Sequence, residues 1–168
     1  MQVVKKINSL NQVLEKSRIR NKSIGFVPTM GALHAGHLSL VKLAQKDCDV
    51  VVSSIFINPT QFNDSNDLEN YPSNIEEDIL LLEEQSCDIL FVPNVQEMYP
   101  QGPVTKEYLL NGIDKVLEGQ KRPGHFDGVC TIVHRLFSIV KPNIGYFGEK
   151  DFLQVAVIRQ MVNSLSLP

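Results

Sequence analysis

Gly25-Phe26-Val27-Pro28-Thr29-Met30-Gly31-Ala32-Leu33-His34-Ala35-Gly36-His37 runs from an apolar stretch, through a turn punctuated by glycines, into a segment with two histidines three residues apart. Ser23 to Val27 has the apolar, partly β-branched content of a buried strand. From Gly36 onward the pattern changes, and Leu38 and Val41, with their neighbours Leu40 and Ala44, recur at helical spacing. The stretch therefore reads as strand, turn and helix, with the helix beginning near the histidines. Backbone N–H groups at a helix start lack an intrahelical partner and sit at the positive end of the helix dipole, so this junction outlines a phosphate site. Gly31 and Gly36 would let the backbone approach such a group closely.

Two histidines at this spacing also fit solvated helix-start residues or part of a metal site. No Cys, Asp or Glu stands at a recognisable ligand interval, so no protein-held metal is expected. The position after a buried strand favours ligand binding, because open α/β sheets bind at the carboxyl ends of their strands.

Working outward, the 168 residues, 43% of them hydrophobic, are enough for one globular domain with a sizeable core. A formal charge of −3 with scattered Lys and Arg argues against a nucleic-acid partner. Met1 to Asn8 has no apolar leader, and no segment approaches the ~18 consecutive apolar residues of a membrane span. A soluble cytoplasmic protein with no membrane partner is expected. Cys48, Cys87 and Cys130 are odd in number and lie in or beside apolar runs, which fits reduced thiols.

Helical and strand signals alternate along the chain. Ile7, Leu10 and Leu14 suggest a first helix, followed by the strand at 24–28, a helix from 36 to about 46, and the apolar run Val50 to Ile57. Ser73 with Glu76 reads as a capping box opening a helix over about 74–86. Asp88 to Pro93 is the next strand. Residues 94–125, rich in Pro and Gly, read as irregular with a short helix near 111–118. Val129, Ile132, Val133, Leu136, Phe137 and Val140 form a helical stripe ended by Pro142. Asn143 to Phe147 is a short strand, and Phe152 to Val162 a last helix.

Strands alternating with helices imply a doubly wound, Rossmann-like α/β domain with a parallel sheet covered on both faces. Right-handed crossovers bring every carboxyl end to one edge. Three polar clusters fall there: Pro28 to His37, Asn58-Pro59-Thr60-Gln61-Phe62, and Gly148-Glu149-Lys150-Asp151. Each is ambiguous alone. Asn58-Pro59-Thr60 is an ordinary turn opener, and a loop glutamine such as Gln61 can simply be solvated. Gly148 to Asp151 fits either a turn with an Asp helix cap and a Glu149–Lys150 pair, or a lysine aimed at phosphates. Arg122-Pro123-Gly124-His125-Phe126 looks like a surface turn, and so does Tyr71-Pro72.

Taken together, the segments at 28–37, 58–62, 71–72, 122–129 and 146–151, in this order and spacing, resemble the pantoate–β-alanine ligases (pantothenate synthetases) over essentially the whole chain. Leu33-His34-Ala35-Gly36-His37 is this sequence's version of a signature shared with nucleotidylyltransferases. The resemblance implies ATP-dependent ligation of pantoate and β-alanine through a pantoyl-adenylate, with loss of pyrophosphate and then AMP. It implies that Met30, Gly31, Ala32, Leu33, His34, Ala35, Gly36 and His37 line the ATP site, together with Gly148, Glu149, Lys150 and Asp151. His34, His37 and Lys150 would act on the phosphates, with His37 as proton donor. Gln61 and Gln154 would bind pantoate, Gln61 also facing β-alanine. Mg²⁺ would accompany ATP on phosphate oxygens and water, with Asp78 as a helper.

Relatives of this kind act as homodimers and continue into a small C-terminal lid domain, and the chain, ending at Leu165-Ser166-Leu167-Pro168, reads as their N-terminal domain. Two other functions fit parts of the pattern. One is a different nucleotidylyltransferase of the same fold, which would leave Asn58 to Phe62 and Gln154 unexplained. The other is a non-catalytic nucleotide-binding module.

Overall fold

The computed structural model describes residues 1–62 and 64–167. In chain order the elements are β1 (Gln2–Val4), α1 (Ile7–Ile19), β2 (Ile24–Thr29), α2 (Ala35–Asp47), β3 (Val50–Ile55), α3 (Ser65–Glu69), α4 (Ile75–Glu84), β4 (Ile89–Phe91), α5 (Val95–Met98), α6 (Glu118–Lys121), α7 (His125–Val140), β5 (Ile144–Gly145) and α8 (Phe152–Ser164). The strands make one parallel sheet in the order β1-β4-β3-β2-β5. From β2 the chain steps through β3 to β4, then crosses back to pair β5 with the other side of β2. That reversal leaves helices on both faces, α1, α7 and α8 on one and α2 and α4 on the other. The expected doubly wound α/β architecture is the one found.

Two cores result, and the strands read as nearly continuous apolar runs because they face both. Phe26, Val52 and Phe91 pack with Leu10 and Leu14 of α1, the α7 stripe, and Val157 and Met161 of α8. Their neighbours Val27, Val51 and Leu90 point the opposite way, onto Val41 and Ala44 of α2 and Leu82 of α4. Cys87 and Cys130 are buried in these layers, which pushes their thiols up to about 11 and about 12, and all three cysteines are free. No helix among the described residues is long and apolar enough to cross a membrane.

The differences from expectation are local. β1 has three residues and buries only Val4, too short a stretch to show a period. α4 is capped one residue later than the Ser73–Glu76 reading. Asn74 Oδ1 accepts from the Glu77 amide at 3.3 Å, and Asn74 Nδ2 donates to Glu77 Oε2 at 3.0 Å. The Asn74 side chain makes both bonds, one to the helix backbone and one to the Glu77 carboxylate, leaving Ser73 outside. The helix expected near 111–118 is a 3-10 turn over Ile113–Lys115, followed by α6, the chain being broken by left-handed residues at Gly112 (φ 80°) and Leu117 (φ 50°). α7 starts at His125, so this histidine belongs to a helix and not to a surface turn.

Candidate active site

β2 and β3 end side by side, with Thr29 opposite Ile55, so the turns that follow them meet at the carboxyl edge of the sheet. The chain leaves β2 through two left-handed residues, Gly31 (φ 89°) and Ala32 (φ 49°). For a non-glycine residue this conformation costs about 1–2 kcal/mol. What offsets it is Asp78, a carboxylate of α4 only 2% exposed. Its Oδ2 accepts from the Ala32 amide at 3.0 Å and its Oδ1 from the Leu33 amide at 2.7 Å. Two amides that the sequence offered to an anion are therefore spent on an internal carboxylate. Asp78, expected beside Mg²⁺, serves here as the clamp of the turn.

His34 is the N-cap of α2. Its backbone is extended, and its Nδ1 accepts from the Gly36 amide at 3.0 Å, which leaves the ring proton on Nε2. Gly36 makes room for that ring, since a Cβ there would stand 2.8 Å from His34 Cε1. One turn on, His37 lies against it with ring centroids 4.2 Å apart. Burial, helped by the neighbouring His34, holds the His37 pKa below the ordinary histidine value, against the opposing pull of Asp78 and Asp151. Its Nδ1 is buried with no hydrogen-bond partner among the described residues. A buried imidazole nitrogen without a partner at the edge of the sheet makes His37 a candidate to meet a ligand.

Gln61 ends the 3-10 turn Pro59–Gln61 after β3 and is 8% exposed. Its Nε2 donates to the thioether sulfur of Met30 at 2.9 Å, which ties the turn after β3 to the turn after β2. Asn58 caps this 3-10 turn with its side chain. Gly128 lets α7 press on the turn, because a Cβ there would overlap the Thr60 carbonyl. From the start of α7, His125 Nδ1 donates to the Gln61 carbonyl at 2.8 Å, and Arg122 Nη2 reaches the same oxygen at 3.5 Å.

The third cluster follows β5. Glu149 to Asp151 form an exposed 3-10 turn; Asp151 makes no side-chain cap of α8, and Lys150 has no ion pair among the described residues. The structural reading of this segment thus loses both its cap and its pair. Asp151 is near enough to raise the His37 pKa, which joins this cluster to the histidines. Gln154 is half-buried in the first turn of α8. The structure therefore groups Met30 with Gln61, and His34 and His37 with Asp151. It leaves Glu149 and Lys150 in solvent. A cavity of about 690 Å³ lies elsewhere, between α7, α8 and the edge of β5, and holds none of these residues.

Sequence reasoning missed Asp78 as a clamp, the contacts of Arg122 and His125 to the Gln61 carbonyl, and the Tyr99 hydroxyl that donates to Asn58 Oδ1. The signal for Asn58 was present in the Asn-Pro-Thr turn opener. Nothing local marks Tyr99.

Comparison with known proteins gives a consistent picture. The family profile described as Pantoate-beta-alanine ligase matches residues 2–168. The chain is 50% identical over 168 residues to the pantothenate synthetase of Porphyromonas gingivalis strain W83, covering 100% of this chain and 59% of that protein. It is 52% identical over 164 residues to that of Aquifex aeolicus, covering 98% and 58%. Among solved structures, the pantoate-beta-alanine ligase of Francisella tularensis, complexed with β-γ ATP and β-alanine, superposes with a TM-score of 0.93 at 45% identity, covering 99% of this chain and 64% of that one. Pantothenate synthetase from Thermus thermophilus gives the same score and identity, with 100% and 59% covered. The chain thus spans well under two thirds of the length of these curated relatives.

Proposed function

The chain belongs to the pantoate-beta-alanine ligase family, and on that premise we propose that it carries the ATP- and pantoate-binding part of an enzyme joining pantoate to β-alanine. In the first step a carboxylate oxygen of pantoate attacks the α-phosphorus of ATP and pyrophosphate leaves. In the second the β-alanine amine attacks the acyl carbon, AMP departs with the former carboxylate oxygen, and the amine loses its proton. No enzyme nucleophile is needed, so the protein's task is alignment and stabilisation of phosphate charge.

In this reading the ATP phosphates lie along Met30 to His37, with His34 Nε2–H and the His37 imidazole donating to them and His37 as the proton donor. Lys150 adds a mobile positive charge, and Gly148 to Asp151 flank the nucleotide. Gln61 and Gln154 hold pantoate, and Gln61 also faces β-alanine. Mg²⁺ travels with ATP on phosphate oxygens and water. The same reading makes the protein a cytoplasmic homodimer, which light scattering on the purified protein tests.

The observation that carries the reading is the junction of Met30 and Gln61 at 2.9 Å: the residue assigned to ATP and the residue assigned to the acid are in contact, as adenylation of that acid requires. The test is release of pyrophosphate from ATP by the complete gene product carrying this sequence, with and without pantoate, followed by pantothenate formation on adding β-alanine. Pyrophosphate release that ignores pantoate, or answers only to a phosphorylated acceptor, overturns it in favour of another nucleotidylyltransferase. Nucleotide binding with no turnover under any acid leaves a binding module.

A further inference from the structure

The amide of Gln61 can face the site with either end, and which end it presents decides what it recognises. The neighbouring backbone settles the matter through Asn58, which is wholly buried. Asn58 Nδ2 lies 3.1 Å from the Gly128 carbonyl, which can only accept; Asn58 Oδ1 lies 3.4 Å from the Thr60 amide, which can only donate. The orientation of Asn58 is thereby fixed. Its NH₂ also donates to Gln61 Oε1 at 3.3 Å, so the oxygen of Gln61 is turned inward and its NH₂ outward, onto Met30.

The tightest hold on Asn58 comes from further away. The Tyr99 hydroxyl donates to Asn58 Oδ1 at 2.8 Å, shorter than either bond to that oxygen from Thr60, at 3.2 and 3.4 Å. The Tyr99 ring is itself set between Phe56, with centroids 6.3 Å apart, and the Arg135 guanidinium, 5.8 Å from the ring centre. Tyr99 is 6% exposed and has no hydrogen bond to Gln61 or Met30 among the described residues.

We propose that Tyr99 is a positioning residue for the acid subsite: acting through Asn58, it keeps Gln61 a donor, so that the subsite selects a ligand oxygen that accepts, a carboxylate or hydroxyl oxygen. Without the hydroxyl, Asn58 keeps only its longer bonds, its hold on Gln61 Oε1 weakens, and Gln61 can turn its oxygen toward an oxygen-bearing ligand. This rests on the reading of Gln61 as the pantoate residue.

The experiment uses Tyr99→Phe, Gln61→Ala and the double variant in the complete gene product. Loss of one buried hydrogen bond predicts a rise of about three- to tenfold in the KM for pantoate in Tyr99→Phe, with the KM for ATP unchanged. In the Gln61→Ala background the same substitution should add nothing, because the residue it acts through is gone. An equal rise in both KM values, an unchanged KM for pantoate, or effects that multiply in the double variant overturns the proposal. The side-chain ¹⁵N resonance of Gln61, identified by its loss in Gln61→Ala, gives a readout without turnover. It should move in Tyr99→Phe with no substrate present, and an unmoved resonance counts against the relay. A wild-type protein that releases no pyrophosphate with pantoate strikes the functional reading instead, and the resonance still decides the relay.

Discussion

The rings of His34 and His37 lie 4.2 Å apart and do different work. His34 commits its Nδ1 to the start of α2, whereas the Nδ1 of His37 is buried and has no partner among the described residues. His37 is thus the imidazole with least structural duty and most to gain from a ligand.

Replacing it with alanine should lower the rate of pantoate-dependent pyrophosphate release on the order of 10²–10³, as loss of a transition-state donor does. The melting temperature should barely move. Near-normal release by His37→Ala would remove the residue from the proposed chemistry.

Asp78 carries more of the fold. Asp78→Ala strips the Ala32 and Leu33 amides of their partners and should cost about 1–3 kcal/mol, read from chemical denaturation. It should also lower the NMR titration midpoint of His37 further, because the Asp78 charge pulls that pKa upward. A midpoint that stays or rises would show that the carboxylate does not reach the histidine.

Acid should destabilise the protein in a particular window. Burial lowers the pKa of His37, His125 and His134 below the ordinary histidine value of 6.5. Above that value both folded and unfolded chains are neutral at these sites. Below it the unfolded chain takes up protons first, so stability falls as pH drops toward the folded pKa values. Asp49 and Glu97, whose pKa values are lowered by hydrogen bonds from Ser23 and Ile7, add losses only at more acidic pH. Denaturation midpoints should be flat from about pH 7 to about pH 8, declining below that window as these histidines charge in the unfolded chain, and above it as the unfolded chain ionises the Cys87 and Cys130 thiols that burial keeps protonated. His125→Gln, which can still donate to the Gln61 carbonyl, should flatten part of the decline; an unchanged slope in that variant would exclude His125.

Two glycines should behave oppositely. Gly128→Ala drives a Cβ into the backbone of Thr60 and Gln61, so α7 must back away, at about 1–3 kcal/mol, with weaker pantoate binding by calorimetry. Gly148 has φ −73° and open space around its Cα, so Gly148→Ala should leave stability unchanged. Equal tolerance at both positions would mean that the close approach of α7 is not needed.

Much of this molecule is legible in its sequence because β2 and β3, buried on both faces, read as nearly continuous apolar runs, and α7 carries an apolar stripe at helical spacing. The site is legible where glycines and histidines break the apolar run, at residues 31–37. Asp78 is not, for it stands in Glu76-Glu77-Asp78 as one acid among three, and only the fold buries it while its neighbours stay exposed. Asn58 reads as a turn opener and is one, but its second duty depends on Gly128 and Tyr99, dozens of residues away. Tyr99 lies in a Pro- and Gly-rich stretch without periodicity, so no local pattern separates it from a loop tyrosine.

β2 faces two cores with adjacent residues, Phe26 toward one and Val27 toward the other, and delivers Met30 to Gln61 at its far end. Its length is therefore a gauge. One residue inserted between Ser23 and Thr29 would turn the phenylalanine-sized and valine-sized places inside out, and would also carry the turn about 3.3 Å past its partner. Most loops of such a protein can lengthen or shorten over generations, but this strand has no spare residue to give or take.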